Sequence, residues 1–131
     1  MNDNDIKANN YVMVVEDDEF YAKIFQAKIA EAGLRVKSFV MADEALVFAQ
    51  NTPPKLIISD LVMPRMDGFK FIEMVREIKI LQDIPILVFS NLGQEKDIAE
   101  AKRLGATEYV VKSEVSLSDA IGLISKYYGK N

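Results

Sequence analysis

Six residues of this chain carry chemistry in a suggestive pattern: the acidic run Glu16, Asp17 and Asp18, then Asp60, Ser90 and Lys112. Each group follows a short apolar run. Tyr11–Val15 precedes the acidic run, Leu56–Ser59 precedes Asp60, Ile86–Phe89 precedes Ser90, and Tyr109–Val111 precedes Lys112. Carboxylates crowded together raise one another's pKa, and a hard divalent cation relieves that repulsion. Magnesium suits the role because it prefers oxygen ligands and is usually held by one or two carboxylates together with phosphate oxygens. Beside it, Asp60 can attack phosphorus to give an aspartyl phosphate. Phosphoryl transfer requires mostly positioning and charge neutralisation. Lys112 offers a second positive charge, and Ser90 offers a hydrogen bond to a phosphoryl oxygen.

These residues meet only if the intervening elements bring them together. Between the apolar runs lie segments with helical spacing. Phe20, Ile24 and Ala27, with Tyr21, Phe25 and Ile29 beside them, predict a helix from Phe20 to Ala32, stopped by Gly33. Arg35–Phe39 alternates as a second strand, and Ala42–Gln50 is a short helix ended by Pro53-Pro54. Phe69, Ile72 and Val75 give the helix after Asp67-Gly68 an apolar face. Gln94–Leu104 is helical with Gly105 as its stop, and Ser116–Tyr128 is the last helix. Strand and helix thus alternate five times, an α/β pattern that implies a parallel sheet covered on both faces. In such a sheet every strand ends at the same edge, and ligands bind there. Residues 1–10 are polar and aperiodic, and read as a flexible tail before a single domain at 11–131.

Taken singly, each residue has a plainer reading. Asp17 or Asp18 can be a helix N-cap, Asp60 a turn residue before Pro64, Ser90 a cap, Lys112 a solvated lysine and Tyr109 a strand aromatic. The functional reading rests on four strand ends of one sheet carrying complementary groups. Composition narrows the choice further. With 131 residues, half of them apolar, the chain is one domain with a core. It has no cysteine and no histidine, which excludes thiolate catalysis, zinc–cysteine sites and histidine acid–base work. A net charge of −4 argues against nucleic acid as a direct partner. No apolar run approaches the roughly 20 residues that span a bilayer, and no secretory leader is evident, so a cytoplasmic location without membrane insertion is expected.

Four blocks in this order resemble the signatures of response-regulator receiver domains: Val14-Val15-Glu16-Asp17-Asp18, Asp60-Leu61-Val62-Met63-Pro64-Arg65-Met66-Asp67-Gly68, Phe89-Ser90, and Tyr109-Val110-Val111-Lys112. The resemblance implies a flavodoxin-like (βα)5 doubly wound sandwich with a five-stranded parallel sheet in order 2-1-3-4-5. It implies a Mg2+ site made by Glu16, Asp17, Asp60 and the carbonyl of Val62, with Asp17 the direct ligand and Asp60 the phosphoacceptor. Lys112 and Ser90 would complete the catalytic group, Ser90 and Tyr109 the switch, and Asp18 would cap the first helix. The implied function is a stand-alone regulator. It takes a phosphoryl group from a sensor histidine kinase or phosphotransfer protein and catalyses its own phosphorylation and dephosphorylation. It then signals to a downstream protein target through the fourth helix, fifth strand and fifth helix, as a monomer or a phosphorylation-dependent homodimer. The alternative is a pseudo-receiver that binds proteins without phosphorylation; such modules usually lack one of the groups this chain keeps. Two positions depart from the family pattern. Ser113 stands where Pro usually follows the lysine, often in a cis peptide, and Asn91 stands where Ala is common.

Overall fold

The computed structural model describes residues 5–129. Strands β1 (Tyr11–Val15), β2 (Arg35–Phe39), β3 (Leu56–Ser59), β4 (Ile86–Ser90) and β5 (Glu108–Val111) form one parallel sheet in the order β2-β1-β3-β4-β5. Helices α1 (Glu19–Glu31), α2 (Ala42–Asn51), α3 (Gly68–Glu77), α4 (Glu95–Leu104) and α5 (Leu117–Tyr128) make the crossovers. This is the flavodoxin-like fold that the resemblance implies. Two single 3-10 turns, Lys79–Leu81 and Lys112–Glu114, were not foreseen.

Side chains of a strand alternate between faces. Tyr11, Met13, Val15, Ile57, Ile86 and Val88 therefore join one core cluster with α2, α3 and Ala101 of α4. Val12, Val14, Leu56, Ile58, Leu87 and Phe89 join a second cluster with α1 and α5. Burial on both faces explains why β1, β3 and β4 read as unbroken apolar runs. Fully burying each large aliphatic or aromatic side chain contributes about 1.5–3 kcal/mol. The edge strand β2 is only partly covered, and its sequence alternates accordingly.

The helix ends follow local chemistry. Asp18 caps α1 by accepting from Phe20 N and Tyr21 N, Asp67 caps α3 through Lys70 N, and Ser116 caps α5 through Asp119 N. Gln94 and Ser116, expected inside their helices, are the capping positions before them. Gly105 ends α4 with a φ of 126°, which few side-chain-bearing residues tolerate. A Cβ there would meet Arg76 Cγ at 2.6 Å. Arg76 uses that space: its guanidinium donates to the carbonyls of Gly105, Leu81, Gln82 and Ile84, tying α3, the end of α4 and the approach to β4 together.

The first four residues of the expected tail lie outside the described residues. In the remainder, Asn9 N donates to Pro53 O at 2.7 Å, Ile6 packs against the core, and Tyr128 Oη donates to Asn10 O at 3.0 Å. Among the described residues no helix is long and apolar enough to cross a membrane.

The stripe Phe20, Ile24, Ala27 is not the buried face of α1. Phe20 is 67 % exposed and Ala27 is exposed, while Ala22, Phe25 and Ile29 are buried. Two stripes with helical spacing exist, and Phe25 and Ile29 of the second pack into the core cluster under α1 and α5. Phe25→Ala should therefore cost about 3–5 kcal/mol in urea denaturation, and Phe20→Ala no more than about 0.5 kcal/mol. Equal losses would contradict this facing of α1.

Candidate functional site

The crossovers after β1 and β3 leave on opposite faces of the sheet, α1 into one core cluster and α3 into the other. A crevice opens between the two strand ends, where ligands bind in sheets of this kind. Both rims of the crevice are held by backbone hydrogen bonds, Glu16 N to Phe39 O at 2.9 Å and Asp60 N to Val15 O at 3.1 Å.

Lys112 reaches the crevice from the end of β5. Its Nζ lies 2.5 Å from Glu16 Oε1 and 3.1 Å from Asp60 Oδ2. Glu16 and Lys112 are buried, and Asp60 is half-buried. The second oxygen of each carboxylate is also engaged: Glu16 Oε2 accepts from Asp18 N at 3.2 Å, and Asp60 Oδ1 accepts from Leu61 N at 2.6 Å. Asp17 is exposed, and one of its oxygens lies within 4.8 Å of oxygens of Glu16 and Asp60. The strand ends thus bring Glu16, Asp17, Asp60 and Lys112 together.

Burial pushes the Glu16 carboxyl up to about 7, with the charge of Asp60 adding and Lys112 opposing. Burial alone would push Lys112 down. Its bonds to Glu16 and Asp60 and their charges outweigh burial, so its pKa lies above the usual lysine value. With Glu16 ionised, three carboxylates against one ammonium leave two negative charges in excess. An all-oxygen donor set with that excess fits a hard dication.

The loop after β3 is shaped by close packing. Gly68 N donates to Leu61 O at 2.8 Å, and a Cβ at Gly68 would stand 2.2 Å from Asp60 O. Only a glycine lets the start of α3 press so closely on the Asp60 backbone. Within the loop, Arg65 has a φ of 66° and pairs with Asp43 of α2. Val62 sits in this loop two residues after Asp60, with its side chain exposed.

Ser90 ends β4 in full burial, and its Oγ accepts from Leu92 N at 3.2 Å. Tyr109 of β5 turns toward the same loop and donates from Oη to Leu92 O at 2.5 Å. Burial raises the Tyr109 phenol, and a hydrogen bond with Ser90 opposes the rise. Ser90, Leu92 and Tyr109 therefore form one linked group beside the acidic crevice. The Lys112–Ser113 peptide is trans, since the described residues contain no cis peptide.

Sequence reasoning missed three contributors. Tyr21 of α1 places its ring 4.2 Å from Lys112 Nζ, Arg76 braces α4 through carbonyls, and Asp43 pairs with Arg65. Only the Asp67-Gly68 turn signal hinted at the close packing behind Asp60.

Comparison with known proteins agrees with this geometry. The family model described as "Response regulator receiver domain" matches residues 12–121. An uncharacterised 14.6 kDa protein of Leptolyngbya boryana is 32 % identical over 116 residues, covering 88 % of each chain. The alkaline phosphatase synthesis transcriptional regulatory protein PhoP of Bacillus subtilis is 30 % identical over 104 residues, which is 79 % of this chain and 42 % of that protein. Against several such relatives, including the probable transcriptional regulators ycf27, the chain spans about two fifths of their length. Among solved structures, the chemotaxis protein CheY4 of Vibrio cholerae superposes with a TM-score of 0.83 at 28 % identity, covering 92 % of this chain and 99 % of that one. Sheet order, crevice and family match lead to one conclusion: the chain belongs to the response regulator receiver domain family.

Proposed function

We propose that the chain accepts a phosphoryl group on Asp60 from a sensor histidine kinase or phosphotransfer protein in a magnesium-dependent reaction. The observation that carries this reading is the Lys112 ammonium bridging Glu16 and Asp60 with Asp17 alongside. Glu16, Asp17, Asp60 and the Val62 carbonyl would hold Mg2+. The ion would supply charge neutralisation at the phosphoryl oxygens. Both oxygens of Glu16 are already engaged, by Lys112 and by Asp18 N, while Asp17 stands exposed at the mouth. That division favours Asp17 as the direct ligand and Glu16 as a partner acting directly or through water.

In the transfer, an oxygen of Asp60 attacks phosphorus. The bond from phosphorus to the donor's leaving group breaks, and its electron pair departs with that group. Lys112 then pairs with the phosphoryl group, and the Ser90 hydroxyl donates a hydrogen bond to it. Leu92 N loses its acceptor if Ser90 turns, and Tyr109 bonds the carbonyl of that same residue. The switch thereby passes from Ser90 to the loop before α4 and to β5, and phosphorylation shifts the population of the α4-β5-α5 surface. The downstream partner is a protein that reads this surface, in the cytoplasm, with the chain as a monomer or a phosphorylation-dependent homodimer.

The alternative is a pseudo-receiver that binds partners without phosphate. Retention of Asp17, Asp60 and Lys112 in one crevice, with Ser90 beside it, favours the phospho-switch.

Incubating the chain with acetyl phosphate and Mg2+ should add one phosphoryl mass, and Asp60→Asn should abolish the addition. An unmodified wild type, or equal modification of Asp60→Asn, contradicts the assignment. In metal titrations followed by NMR, Asp17→Ala should weaken Mg2+ binding by about tenfold more than Glu16→Ala, in line with the loss of a direct charged ligand. Equal losses would place the two carboxylates in equivalent roles.

A further inference from the structure

Lys112 is held by more than its two carboxylates. An ammonium has three N–H donors. Glu16 Oε1 and Asp60 Oδ2 lie within hydrogen-bond reach of Nζ, and the Tyr21 ring stands against it with its centroid at 4.2 Å. The lysine stem is flexible. It also lines a cavity of about 170 Å3 with Tyr21, Phe25, Phe89 and Ala120, so the side chain has space to swing back. The Tyr21 ring lines the same cavity and stands with its face against Nζ.

Tyr21 is itself fixed. Its backbone N donates to the capping carboxylate of Asp18 at 3.3 Å. Its ring stacks on Phe25 with centroids 6.4 Å apart and makes a T-shaped contact with Phe20 at 5.7 Å. Phe25 in turn packs edge-on against Phe89, the residue before Ser90, at 5.3 Å. An aromatic row therefore runs from the exposed start of α1 to the end of β4, with Lys112 against one of its members.

We propose that Tyr21 is a positioning residue for phosphoryl transfer, its ring face aiming the Lys112 ammonium into the acidic crevice. The inference deepens the proposed function and rests on it. A ring face attracts a cation through its quadrupole. Unlike a third carboxylate, it holds no localised charge that would compete with an incoming phosphoryl oxygen. Lys112 is thus kept forward yet remains free to change partners from Asp60 to the phosphoryl group.

The test uses the full chain with acetyl phosphate at saturating Mg2+, comparing wild type, Tyr21→Leu, Tyr21→Met and Tyr21→Phe. Leu and Met fill the space without a π face, and Phe keeps the face without the hydroxyl. Tyr21→Leu and Tyr21→Met should lower the phosphorylation rate by about tenfold, within the roughly two- to thirtyfold range of a cation–π contact as it is desolvated. Their Mg2+ affinity should stay at the wild-type value, and Tyr21→Phe should restore most of the rate. The Lys112 ε-methylene protons should resonate upfield in wild type and Tyr21→Phe, and return to the ordinary lysine position in the other two. A wild-type rate in Tyr21→Leu and Tyr21→Met, a Tyr21→Phe as slow as either, or an unshifted Lys112 resonance in wild type would overturn the inference while leaving Asp60 as acceptor. If one aliphatic variant fails to fold, the other carries the comparison, and the resonance position decides independently of both. A wild type that takes no phosphoryl group would overturn the proposed function and this inference together.

Discussion

The buried contact of Lys112 Nζ with Glu16 Oε1 and Asp60 Oδ2 ties three strand ends, β1, β3 and β5, to one point. Withdrawing ions from water costs several kcal/mol each, and attraction offsets that cost only when geometry is good and the remaining lone pairs are satisfied. Here they are. Glu16 accepts a second bond from Asp18 N, Asp60 from Leu61 N, and Lys112 faces the Tyr21 ring. No buried side-chain polar atom among the described residues lacks a partner. The parallel register of the sheet is what permits this, since it aligns strand ends drawn from residues 15, 59 and 111 of the chain.

The surroundings divide into a fixed side and a lightly held side. On the fixed side, β1, β3 and β4 are buried on both faces, and α3 presses on Asp60 through Gly68. On the other side, Ala101 is the only fully buried side chain of α4, and Arg76 holds that helix at its end, through the Gly105 carbonyl. The start of α4 follows the loop in which Leu92 meets Ser90 and Tyr109. Few buried contacts mark an element of low local stability.

Much of this was legible in the chain. Strands buried on both faces announce themselves as β-branched runs, and β1, β2 and β3 fall at the expected bounds. The acidic run, Asp60, Ser90 and Lys112 were singled out because a parallel sheet delivers all strand ends to one edge, and each does lie at or just past a strand end. What escaped depends on distance in space without a sequence period. Tyr21 read as one apolar position among several on α1, and only the rotation of that helix sets its ring on Lys112. Phe20 shared the same spacing and proved exposed. Arg76 drew no reading at all, and its partners are carbonyls some 5 to 29 residues away. Carbonyl acceptors leave no mark in a sequence.

If the buried ammonium organises the crevice, its coupling to Glu16 must be measurable without any metal. The direct test is a double-mutant cycle with Lys112→Met and Glu16→Gln, read by urea denaturation in metal-free buffer. Lys112→Met alone should cost about 3–5 kcal/mol, because it leaves buried carboxylates without their counter-charge. With Glu16→Gln already present that cost should shrink by at least about 1 kcal/mol. Additive losses in the double variant would contradict the account, since they would mean that Lys112 and Glu16 stand side by side without stabilising one another.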